Sequence, residues 1–154
     1  MRADAGGLVY GTIVVATLLA AESARSETYG KTIGAVVLAM LTYWLAVAYS
    51  HYSGERLEQE EGFKPAAFAR VAIGELTLLL GALPPLLAVL IVWATGGSLT
   101  VAVRVGVWVA AASIVAAELV TGVRADLHGR ALLRQTLVGA VFGLLIIAVR
   151  LLLH

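Results

Sequence analysis

Glu75 and Glu118 are the residues whose type and position could do chemistry. Each is a lone carboxylate inside an apolar stretch, Glu75 in segment 71–95 and Glu118 in segment 98–123. A charge within hydrocarbon is costly unless it is paired or faces water, so such a group marks an ion site or a lock between helices. If the two side chains converge from neighbouring helices, they form a carboxylate pair able to bind a cation or relay protons. In the opposing reading they are staples paired with Arg70, Arg124, Arg130 or Arg134, or they reach the headgroup layer. Pro84 and Pro85 stand near the middle of the segment that carries Glu75. Each lacks an N–H and crowds the carbonyl four residues back, which frees the carbonyls of Leu80 and Gly81. A proline-broken helix is expected there, and protein or water must face the freed carbonyls because lipid cannot.

A second set of candidates follows segment 32–50. Met40, Trp44, Val47 and His51 recur at helical spacing, with Tyr43 beside them. Thioether and imidazole suit soft or borderline metals, and a histidine at an interface also senses pH. Packing, with Tyr49, His51 and Tyr52 as an interfacial aromatic belt, accounts for the same pattern. Glu55, Glu58 and Glu61 are three apart, so a helix would show them on one side as a surface for a hard cation or as a solvated extension. Glu22, Arg104 and Arg150 make a mixed charge layer at the opposite boundary. No P-loop, HExxH, GxSxG elbow or Ser/His/Asp arrangement occurs, and there is no cysteine. An enzyme is not expected.

The elements that must position these groups are apolar helices. The chain of 154 residues is 60% hydrophobic and 14% charged, whereas soluble domains carry roughly 25% charged residues. Its net charge of +1 and the lack of a basic run with interleaved aromatics exclude nucleic acid as a partner. Five apolar segments, 5–21, 32–50, 71–95, 98–123 and 131–153, are separated by polar loops, the longest at 51–70. This predicts a single all-α domain over 1–154, a polytopic membrane protein whose five transmembrane helices form a bundle with the third one broken. Of the 11 lysines and arginines, Arg2, Arg56, Lys64, Arg70, Arg124, Arg130 and Arg134 fall on one side. That bias places the N-terminus in the cytoplasm and the C-terminus outside a plasma (inner) membrane.

Helical spacing also sorts the faces. Gly7 and Gly11 on the first segment and Gly139 and Gly143 on the fifth are four apart, a spacing that lets helix backbones approach closely. A homo-oligomer, most simply a dimer through a glycine-lined face, is expected. On the fourth segment Arg104, Trp108, Ala111, Val115 and Glu118 fall within about 40° of one line.

Three patches resemble the vacuolar iron transporter family: GGLVYGTIVVATLLAA in the first segment, GAVVLAM ending at Met40 in the second, and GALPPLL from Gly81 to Leu87 in the third. The resemblance implies a five-span dimer exporting a divalent cation against protons, with the topology derived above from charge. It also implies Met40 as an intramembrane ligand and Glu55, Glu58 and Glu61 as remnants of cytoplasmic metal-binding helices. The family's first-span acidic residue has no counterpart in Leu8-Val9-Tyr10-Gly11. Its glycine, glutamate and tyrosine motif is replaced by Leu41-Thr42-Tyr43-Trp44. The functional expectation is a small transporter or exchanger for a cation, divalent or proton-coupled; a non-transporting membrane scaffold and an oligomeric pore are the alternatives.

Overall fold

A computed structural model describes residues 5–21, 28–58 and 62–153. They form α1 (Ala5–Ala21), α2 (Tyr29–Glu58), α3 (Pro65–Gly74), α4 (Leu76–Ala94), α5 (Leu99–Arg124) and α6 (Arg130–Leu153), and no strand occurs among them. Four segments are long and apolar enough to cross a bilayer: Tyr29–Leu57, Pro65–Ala94, Leu99–Arg124 and Arg130–Ala148. Leu38, Ile91, Val141 and Leu144 are among many large apolar side chains left exposed on the outside. Soluble monomers rarely expose contiguous apolar patches beyond a few hundred Å², and four helices this long and apolar suggest an integral membrane protein.

Contacts fix the direction of each helix. Gly7 faces Thr77, Gly81 faces Leu8, and Gly106 on α5 meets Leu19 and Val89, so α1 and α4 run parallel. On α2, Tyr29 donates to the Gly97 carbonyl at 2.7 Å and His51 reaches Glu75, so α2 is antiparallel to α4. Gly122 meets Leu132 and Gly143 meets Ala111, which makes α5 and α6 antiparallel. Treating α3 and α4 as one unit, five rods alternate in direction. The apolar α1 is the central one, touching α2, α4, α5 and α6. Its Val15, Ala16 and Leu19 are buried with Leu78, Val89, Val103, Val107 and Ile114.

The turns explain where the rods end. Beyond α4 the Gly97 N–H bonds Val92 O at 2.9 Å and the Gly96 N–H bonds Trp93 O at 3.0 Å, with Gly96 at φ +78. This double closure needs a left-handed residue, and glycine supplies it without strain. Ser98 then caps α5, its side chain accepting from the Val101 N–H.

Three expectations are corrected. The third segment is not broken at Pro84 and Pro85: α4 continues through both prolines, and the break falls at Glu75, a turn between α3 and α4. The reason is a substitute donor. Thr12 Oγ1 of α1 lies 2.7 Å from the Gly81 carbonyl, the acceptor that Pro85 leaves without an N–H, and 2.8 Å from Leu8 O. One hydroxyl proton, shared between two carbonyls, satisfies the freed group inside the bundle. Second, 51–70 is not a loop: α2 continues to Glu58 and α3 begins at Pro65, a first-turn position where the missing N–H costs nothing. Third, the glycine faces do not wait for a second copy. A side chain on Gly11 would strike the Leu78 carbonyl and one on Gly81 the Leu8 carbonyl, while Gly139 and Gly143 lie against Glu118 and Ala111. Both glycine pairs are consumed within the chain.

The Thr12 bridge gives a first prediction. Thr12→Val keeps the shape but strands the Gly81 carbonyl, and destabilisation of about 1–3 kcal/mol is expected. Pro85→Ala supplies an amide to the same carbonyl, so the Thr12→Val penalty should shrink in that background. A double-mutant cycle on melting in detergent measures the coupling.

Candidate functional site

The break at Glu75 is what makes a site. Glu75 has φ −81 and ψ 1; its N–H still reaches Val71 O, and its own carbonyl accepts from the Leu78 N–H in a tight turn. Carbonyls in the last turn of a helix lack intrahelical donors. Trp44 of α2 serves one of them, its Nε1–H donating to Ala72 O at 3.0 Å. Two turns further along α2, His51 Nδ1 lies 2.7 Å from Glu75 Oε1. With the carboxylate ionised the ring nitrogen is the donor, and the two form an ion pair when the imidazole is protonated. The Glu75 side chain is 22% exposed and that of His51 59%, so the carboxylate is set inward and the imidazole covers it.

A cavity of about 490 Å³ opens beside this pair. His51, Glu75 and Ser50 supply polar walls, Val47 and Leu78 apolar ones, and α1 contributes Gly6, Gly7 and Tyr10. Tyr43 extends the polar rim by donating its hydroxyl hydrogen to the Tyr10 hydroxyl, the rings tilted with centroids 5.4 Å apart. At Gly7 a side chain would meet Thr77 Oγ1, a buried hydroxyl without a hydrogen-bond partner.

Glu118 is held elsewhere. It accepts from Gln135 Nε2 of α6, and a Cβ on Gly139 would stand 2.8 Å from its Cγ. Glu75 and Glu118 therefore lie towards the same end of the bundle but face different helices, and the cavity is lined by Glu75 alone. The carboxylate pair expected from the sequence is not assembled: each carboxylate already has a polar partner on the helix packed against it. Arg70, Arg124, Arg130 and Arg134 are exposed and form no ion pair with either.

The remaining candidates divide as follows. Tyr43 and His51 join the site, whereas Met40 is 3% exposed and packed in the apolar core, away from the cavity. Glu55 is an exposed residue of α2. Glu61, Glu22 and the side chains of Glu58 and Arg150 lie outside the described residues. Arg104 and Trp108 face outward on α5, so the line expected to carry both charges of that helix parts company, Arg104 outside and Glu118 against α6. Among the described residues no three histidine or acidic side chains cluster as metal ligands. Tyr10 and Ser50 escaped the sequence reading. They line the cavity only because α1 and α2 meet there, and neither carries a motif.

Glu118 yields a second prediction. Glu118→Leu leaves the Gln135 amide without its acceptor and should lower stability by about 1–3 kcal/mol. Glu118→Gln keeps an acceptor in place and should be nearly neutral in thermal unfolding. No known protein family, curated protein or solved structure matches the chain.

Proposed function

We propose that this chain is a five-span integral membrane protein that moves a cation in exchange for protons, with Glu75 as the carboxylate that holds the cargo and His51 as its competitor. The observation that carries the reading is the His51–Glu75 contact at a helix break, on the wall of a cavity. A half-buried carboxylate paired with an imidazolium can take a new cation without leaving a bare charge behind, provided the imidazolium releases its proton. The break supplies a joint at which α3 can tilt on α4, as discontinuous helices do around transport sites. The arginine and lysine bias puts this end of the bundle in the cytoplasm of a plasma membrane. The likeness to vacuolar iron transporters is retained as a likeness of span order. The packed Met40 gives no support to a metal site inherited with it.

Reconstitution into proteoliposomes tests the reading: a cation gradient should drive Glu75-dependent proton movement. Wild-type flux through Glu75→Gln would reject it. The scaffold reading is favoured by one observation only, the Glu118–Gln135 contact with Gly139 packed beneath it. It holds for that carboxylate, which locks α5 to α6, and Glu118→Gln should leave flux unchanged.

A further inference from the structure

We infer that the cargo of the α1–α2–α4 cavity is a small organic ammonium ion and not a divalent metal; the inference rests on the transport reading above. Divalent cations demand several oxygen ligands, six to eight for calcium and a near-octahedral set for magnesium. Among the described residues this cavity offers one carboxylate, and no third acidic or imidazole group joins His51 and Glu75. Its volume of about 490 Å³ lies within the roughly 300–1,000 Å³ of small-molecule pockets and is far larger than a bare ion fills. A bare ion would sit mostly in water. An alkylammonium instead uses every wall. Val47 takes its methylene or methyl groups, Tyr10 offers an aromatic ring of the kind that attracts such cations, and Glu75 balances the charge.

The same geometry sets the coupling. Glu75 Oε1 is already 2.7 Å from His51 Nδ1. Among the described residues, Tyr10 of α1 and Ser50 and His51 of α2 line the same cavity, α4 carries no charged residue, and the Tyr43 hydroxyl bonds that of Tyr10. One carboxylate neutralises one cation. When the ammonium enters, the imidazolium gives its proton to water and stays as neutral imidazole, so the cavity holds the same net charge before and after. Cargo and proton are thereby exclusive.

The test uses the full chain in proteoliposomes that trap a pH dye. The probes are tetramethylammonium, tetraethylammonium and manganese(II), none of which crosses lipid as a neutral species. Proton movement driven by the quaternary ions and not by manganese(II), and lost in Glu75→Gln, is the expected result. Glu75-dependent movement with manganese(II) alone would overturn the cargo class while leaving the transport reading standing. No movement with any probe would overturn both. Should Glu75→Gln fail to fold, Val47→Phe decides: narrowing the cavity should cut tetraethylammonium flux about tenfold relative to tetramethylammonium. An unchanged ratio in a folded variant would place the cargo elsewhere and reject the proposal.

Discussion

Glu75→Gln should lower cation affinity by about 10- to 100-fold without dismantling the bundle. The range follows from the roughly 1.5–3 kcal/mol that a hydrogen bond or contact to a charged group contributes, at 1.4 kcal/mol per decade. The fold should tolerate the change because the junction is held by main chain: the Glu75 N–H bonds Val71 O at 3.1 Å and Leu78 N–H bonds Glu75 O at 3.1 Å. Trp44 still holds Ala72 O. His51→Gln has a different signature. Under the proposed competition the imidazolium–carboxylate pair excludes cargo, so in the wild type cation affinity should fall as pH is lowered. Removing the imidazole removes that competitor, and affinity should depend less on pH. Equilibrium binding in detergent at several pH values reads both variants.

Gly11→Val destabilises the chain by about 3 kcal/mol, the upper end of what overpacking costs. The atom it meets is the backbone carbonyl of Leu78, which has no rotamer to adopt, so α1 must move off α4 as a body. Gly81→Val drives the same seam apart from the other side, against Leu8 O. Because the two act on one interface, their effects should not add. Gly34→Val is the control: nothing lies within 4 Å of that position, and a change within about 0.5 kcal/mol is expected of an open surface. Melting followed by size-exclusion in detergent ranks the three. A Gly11→Val protein as stable as Gly34→Val would contradict the α1–α4 packing.

The rods were legible because apolar length is a bulk property: the boundaries 5–21 and 98–123 differ from α1 and α5 by a residue or two at most. The face of α2 was legible too. The stripe Met40, Trp44, Val47 and His51 does turn inward, onto the core, Ala72, the cavity and Glu75 in that order. What could not be read was pairing between helices. Prolines weaken a helix locally, but whether it breaks depends on a hydroxyl seventy residues away in sequence, here Thr12. Glutamate was located but its partner was not, since spacing along one helix says nothing of what faces it. The glycine pairs signalled close approach correctly; only the neighbour, another helix of the same chain, was beyond a one-dimensional pattern.

Counting protons released as a cation binds to the purified protein in unbuffered detergent solution tests the site most directly. Cargo and proton compete for Glu75, and linkage makes the effect reciprocal. The wild type should therefore release protons in step with cation uptake, and both signals should vanish together in Glu75→Gln but persist in Glu118→Gln. Cation binding that releases no proton, or a release that survives Glu75→Gln, would contradict the account.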